Sequence, residues 1–359
     1  MMKPKETVIY KVLSVAVALI LGMGILSGCA DSTILDTEDD RLRIVCTTFP
    51  QYDWTAELIR GNEAQISLTL LMDKGGDLHN FQPSALDIAR VSACDLFIYV
   101  GGESDGWVED ALTESVNPDM RVLNMMEAVH GRLVEEEHVE GLDTAQFSAF
   151  MDGFHGNKGF NEGVHGEGAG HDAHEGHDHG QEYDEHVWLS LRNAEMIVEE
   201  IAAELAVMDS KNAELYQRNC DRYTAALRAL DIQFEQAVRD GKRDTLLFAD
   251  RFPFRYFVED YGLNYYAAFN GCSAETEAGF GTVAFLTDKM DALGLQFVIV
   301  LDGSDDRLAR VVIENTRAGN QQVCIFNSMQ SVSHRELRAG VSYLNAMEEN
   351  LKALRKLLA

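Results

Sequence analysis

The sequence predicts an α/β protein: two parallel-sheet α/β lobes joined by one long rigid helix. Three observations carry this. From Leu42 onward, short apolar runs alternate with longer amphipathic segments, which is the pattern of βα units and hence of largely parallel sheets. The alternation lapses near residue 190 and returns near residue 245. Between the two blocks Tyr216, Cys220, Tyr223, Leu227, Leu230, Phe234 and Val238 recur at steps of three and four, one sustained helical stripe.

In chain order, the first block gives strands at 42–46, 66–71, 96–100 and 121–123, with helices at 53–60 and 84–91. A further helix at 192–207 follows Ser190, with Met196, Ile197, Ile201 and Leu205 as its apolar stripe. Asp209-Ser210 supplies the cap of the long helix, and Glu214 places an acid in its first turns. The second block gives strands at 245–248, 265–269, 297–301 and 323–326, and helices at 255–261, 282–293, 306–316 and 341–358. The expected organisation is an N-terminal lobe at 41–190, linking helices at 191–243 and a C-terminal lobe at 244–359.

Ahead of these lobes, Lys3, Lys5 and Lys11 precede an apolar run at 12–26. The run is short of the ~20 residues of a membrane span and suits the core of a signal peptide. It ends in Leu26-Ser27-Gly28-Cys29, which resembles a bacterial lipobox. That resemblance implies a signal peptide at 1–28, removed on export, and two acyl chains at Cys29 that hold the chain on a membrane. A tether at 29–40 follows, with five acids and no base. The other five cysteines are odd in number and form no CxxC, so neither a disulfide framework nor a thiolate cluster is indicated.

With 59 Asp and Glu against 30 Lys and Arg, the net charge is −29. Nucleic acid is excluded as a partner, because neutralising phosphate needs clustered bases. The acidity is concentrated: residues 131–185 hold 14 acids and 2 bases, and residues 153–180 hold 6 His and 9 Gly. Such a stretch cannot build a packed core and reads as an inserted loop. Its His171, His174, His177 and His179 are interleaved with carboxylates, donors suited to zinc, copper or nickel. A hydrophilic spacer of biased composition is the plainer account. As a metal feature the loop is an auxiliary capture or sensing element, because no rigid framework fixes its geometry.

Two further histidines sit in ordered surroundings. Asp77-Leu78-His79-Asn80-Phe81-Gln82-Pro83 leaves a strand and enters a helix, and Asp184-Glu185-His186-Val187-Trp188-Leu189-Ser190 precedes a capped helix. Open parallel sheets place ligand crevices at such strand ends. Taken singly, each histidine is equally compatible with a structural role.

Together, these two motifs resemble the signature ligand motifs of the zinc- and manganese-binding lipoprotein receptors of ABC transporters. The resemblance extends through Gly101-Gly102 with Trp107, the segment 209–223, Tyr256 and Tyr261-Gly262-Leu263, and Ser342-Tyr343. It implies a single metal in the interlobe cleft, with His79 and His186 as ligands. It also implies delivery of that ion to a membrane permease from an extracytoplasmic, lipid-anchored position. Zinc members often carry a His- and acid-rich loop between the two motifs, as this chain does. Two departures stand out. Where the family has a third ligand, His or Glu, this chain has Arg251, and where it commonly has a fourth, Asp, this chain has Asn327. Arg cannot ligate a cation. Glu275, after the strand ending at Phe269, and then Asp302, after the strand ending at Leu301, are the expected replacements. Each acid could equally serve as a helix-end charge or as a partner for Arg251.

Zinc is the expected ion, since manganese prefers oxygen-rich octahedral sites. Other readings are a manganese receptor of the same family, an exported zinc hydrolase, and a storage or adhesion lipoprotein. The hydrolase lacks an H-E-x-x-H pair or an evident general base.

Overall fold

The computed structural model describes residues 40–136, 183–269 and 278–359. Cys29, most of the tether, His171, His174, His177, His179 and Glu275 lie outside the described residues. In the first lobe the elements are β1 (Leu42–Cys46), α1 (Phe49–Leu58), β2 (Ile66–Leu70), α2 (Ala85–Ala93), β3 (Leu96–Tyr99), α3 (Trp107–Thr113), β4 (Arg121–Asn124) and α4 (Met125–Ala128). Two long helices follow, α5 (Leu191–Met208) and α6 (Ala213–Asp240). The second lobe comprises β5 (Thr245–Phe248), α7 (Arg255–Tyr261), β6 (Asn264–Ala267), α8 (Phe280–Leu293), β7 (Phe297–Leu301), α9 (Arg307–Asn315), β8 (Gln322–Phe326), α10 (His334–Arg338) and α11 (Tyr343–Leu357).

The eight expected strands all form. They build two four-stranded sheets, ordered β2-β1-β3-β4 and β6-β5-β7-β8, and every pairing is parallel. The two lobes therefore repeat one topology. In each, the order reverses at the first strand, which opens a crevice at the carboxyl ends.

Strand alternation decides where the cores lie. Along β1, Ile44 and Cys46 join the large central cluster, while Val45 joins a smaller one with Val91, Phe97 and Val108. Along β7, Ile299 and Leu301 face the central cluster, and Val298 and Val300 face Leu286, Met290 and Val312. Each sheet thus turns one face to its own outer helices. The other faces a shared core that also takes in Ile197, Ile201, Leu227, Phe234, Met347 and Leu354 from the long helices. The lobes are joined by packing as well as by chain.

α6 spans 28 residues, roughly 42 Å at the rise of an α-helix. It packs along α5 and also meets α1 and α11. Its stripe is buried from Tyr216 to Phe234, as its spacing predicts. Its cap is a correction: Asn212 takes that position. Asp209 Oδ2 accepts from Asn62 Nδ2, Asn212 Nδ2 and Tyr216 Oη at 3.1, 2.7 and 2.8 Å, tying the helix start to the first lobe. In α5, Ser190 caps as expected, accepting from the Asn193 amide at 3.0 Å. Met196, assigned to its apolar stripe, is exposed.

Among the described residues no helix is long and apolar enough to cross a membrane. Cys46, Cys94, Cys220 and Cys324 carry free thiols, and the first three are buried.

Candidate metal centre

His79 and His186 are brought together although 107 positions separate them: their Nε2 atoms lie 3.5 Å apart. Local sequence explains each placement. Asp77 caps the short turn Leu78–Asn80, its Oδ1 accepting from the His79 amide at 3.0 Å. This turn follows β2 and leaves the His79 ring exposed. His186 sits at the head of the turn Val187–Leu189, which runs into α5, and is only 2% exposed. Its ring packs edge-on against Trp188 at 5.1 Å between centroids.

Both Nδ1 atoms are held. Asp184 Oδ1 lies 2.9 Å from His186 Nδ1 and also accepts from the His186 amide at 2.8 Å. A carboxylate only accepts, so Nδ1 carries the hydrogen and Nε2 presents its lone pair. His79 Nδ1 lies 2.7 Å from Ser104 Oγ. A hydroxyl donates or accepts, so Ser104 suits either tautomer of His79.

The pair fits zinc. Two nitrogens at 2.0–2.1 Å from a tetrahedral zinc stand about 3.3–3.4 Å apart, close to the 3.5 Å seen here. Outer partners on Nδ1 are also what ligating imidazoles have in metal sites.

The wall behind the pair is acidic. Glu185 is buried, and its Oε1 accepts from the Ser104 amide at 2.8 Å. Asp105 Oδ2 accepts from the Val100 and Gly101 amides, each at 2.9 Å. Burial pushes the Asp105 carboxyl up to about 6, with the Glu185 charge adding to the rise. Gly101 and Gly102 both have positive φ, and a Cβ on Gly102 would stand 2.5 Å from Glu185 Oε1. The loop needs glycine there on both counts.

The second lobe meets this site through several contacts. Arg251 pairs with Asp77 Oδ2. His334 Nε2 lies 2.6 Å from Asp73 Oδ2, and Lys74 and Ser333 form a β-bridge. Trp188 Nε1 donates to Ser328 O at 2.9 Å, and Tyr343 Oη donates to Trp188 O at 2.6 Å.

The remaining expected ligands divide. Glu275 lies outside the described residues. Asp302 Oδ1 accepts from both the amide and the hydroxyl of Ser328, at 2.6 and 2.9 Å. Burial raises its pKa. Among the described residues no three His, Cys, Asp or Glu side chains converge as a metal set, so Asp302 does not stand with the two imidazoles. Asn327 is committed as well, its Oδ1 accepting from the Met329 amide at 2.9 Å. Ser104 went unnoticed in the sequence, and so did the contacts of Asp184 and Glu185. An acid two residues before a histidine is the one local sign that could have flagged Asp184.

Comparison with known proteins identifies the family. Residues 44–357 match the family described as zinc-uptake complex component A, periplasmic (ZnuA). The zinc-binding protein AdcA of Streptococcus pyogenes serotype M3 is 25% identical over 320 residues, 88% of this chain and 56% of that protein. This chain therefore spans about half the length of the AdcA relatives it matches. The high-affinity zinc uptake system protein ZnuA of Bacillus subtilis is 24% identical over 337 residues, 92% of this chain and 93% of that protein. The crystal structure of the Zn(II)-bound ZnuA-like domain of Streptococcus pneumoniae AdcA superposes with a TM-score of 0.64 at 22% identity. That match covers 89% of this chain and 99% of that one, and it establishes the shared fold. A match across 44–357 takes in both lobes and the helices between them, and the chain belongs to the ZnuA family of zinc-uptake components.

Proposed function

We propose that this chain is an extracytoplasmic receptor that captures zinc between its two lobes and hands it to an ABC permease. The observation that carries the reading is the meeting of His79 and His186 at tetrahedral zinc spacing, each with its Nδ1 engaged. Membership of a zinc-uptake family supports the ion and the direction of transport. No bond is made or broken: the protein supplies imidazole affinity and a site whose parts come from distant segments.

His79 and His186 are the assigned ligands, with Glu275 supplying a carboxylate from the segment that follows β6. Asp302 is assigned to the Ser328 turn and not to the ion. His171, His174, His177 and His179 serve as an auxiliary capture element. Cys29 anchors the chain by its lipid, a role supported by the lipobox-like Leu26-Ser27-Gly28-Cys29.

Zinc titration of the soluble mature chain against a chelating competitor tests the reading. One tight zinc per chain is expected, lost in His79→Ala and in His186→Ala and retained on deletion of 153–180. Loss of tight binding with the deletion alone overturns the interlobe site in favour of storage by the loop.

A further inference from the structure

The Glu185 carboxylate is buried at 7% exposure. One oxygen accepts from the Ser104 amide at 2.8 Å, and the other is buried with no hydrogen-bond partner. A buried, half-satisfied carboxylate is costly to the fold, and an apolar side chain would be cheaper in that place. Such an unsatisfied group calls for a role beyond packing. Its one bond leads to the metal centre, since Ser104 Oγ lies 2.7 Å from His79 Nδ1. The loop that carries Ser104 is shaped around this carboxylate: Gly102, at φ +83°, leaves no room for a Cβ beside it. Asp105 holds the same loop from its other side through the Val100 and Gly101 amides.

We propose that Glu185 is a positioning residue for the metal site, fixing His79 through Ser104. Asp184 already orients His186 through its Nδ1. The two residues before His186 would thus orient both imidazoles, one directly and one through the 101–105 loop. The inference rests on the reading of His79 and His186 as metal ligands. The hydrogen bond is the agent, so an isosteric amide that still accepts at the same place does the same work.

Zinc affinity by chelator competition, with thermal melting as a control, tests this in the full mature chain. Glu185→Leu and Ser104→Ala are each expected to weaken zinc by about 10- to 100-fold, the range for outer partners of metal ligands. Glu185→Leu should melt no lower than wild type. Glu185→Gln is expected to stay within about threefold of wild type, since its amide oxygen accepts from the same Ser104 amide. The double variant Glu185→Leu/Ser104→Ala should bind no more weakly than the weaker single variant, because both break one relay. Wild-type affinity in Glu185→Leu, or effects that multiply in the double variant, overturns the positioning role while His79→Ala still abolishes binding. Unchanged zinc binding in His79→Ala overturns the metal site itself, and the relay with it.

Discussion

Arg251 and Asp77 form an ion pair that crosses from the second lobe to the first, and the same Asp77 caps the turn that carries His79. One carboxylate oxygen accepts from the His79 amide at 3.0 Å and the other takes the guanidinium. Both side chains are largely withdrawn from solvent, at 22% and 14% exposure. The arginine at the position where the family resemblance implies a third ligand is therefore tied to the motif of the first. It binds a carboxylate in place of an ion.

Asp77→Ala removes both the cap and the ion pair, and is expected to lower stability by about 2 kcal/mol. It should weaken zinc at least about tenfold, because the His79 turn loses its anchor. Asp77→Asn keeps an oxygen for the cap and loses the charge, so its affinity should fall between alanine and wild type. Melting temperature and chelator competition measure the two effects separately. Equal affinities for the Asn and Ala variants would show that the ion pair, not the cap, sets the place of His79.

Asp302 offers a sharper discrimination. Its Oδ1 takes two hydrogen bonds from Ser328, and Ser328 O in turn receives the Trp188 indole. Asp302→Ala is expected to destabilise the chain by about 1–3 kcal/mol while one zinc per chain still binds. If tight zinc disappears from a variant that melts like wild type, Asp302 is a ligand after all.

The legible part of this protein was its periodic part. All eight strands announced themselves as short apolar runs, and the long helix by its steps of three and four. α1 begins at Phe49, earlier than the expected 53, because the Thr48 amide donates to Gln51 Oε1 at 3.1 Å and Pro50 stands in the first turn. That signal was written in the chain and overlooked. Asp209 was misplaced as a cap because its real partners include Asn62, 147 positions away. Ser104 and Glu185, 81 positions apart, share no local pattern. α4 and α10 are too short to show a stripe. Family resemblance pointed to the two histidines, and only tertiary contacts revealed what holds them.

The pH dependence of stability should carry the mark of Asp53. Burial pushes its carboxyl up to about 6 from 3.8, while its bond from the Tyr343 amide, at 2.9 Å, pulls the other way. A carboxyl raised on folding favours the native state while protonated. Its contribution is fully present below about 4 and is lost as the pH rises through about 6. Asp53→Asn keeps an acceptor for Tyr343 and cannot ionise. Relative to wild type it should gain stability between pH 4 and pH 7, by on the order of 2 kcal/mol. Denaturant melts at the two pH values measure the difference. A constant offset would assign the pH dependence to other groups.

The acidic insertion should prove separable from the fold, because its two ends are already joined. Glu135 and Tyr183 form an antiparallel bridge, and the Asp184 amide donates to Val134 O at 3.0 Å. Tyr256 Oη closes the stem, accepting from the Val134 amide at 3.4 Å and donating to Asp184 O at 2.7 Å. Below it, Arg132 bonds Asp260 and Asn193, both at 2.6 Å. These contacts, all among the described residues, join the two chain ends that flank 137–182. Replacing 137–182 with a short Asn-Gly turn suits such an antiparallel stem. The shortened chain is expected to melt within a few degrees of wild type and to keep one tight zinc, while the weaker zinc bound at excess metal disappears. Tyr256→Phe in the same shortened chain should then cost about 1 kcal/mol, because the phenol bonds both strands of the stem. A shortened chain that fails to fold would mean that the insertion, and not the stem, holds Asp184 and His186 in place.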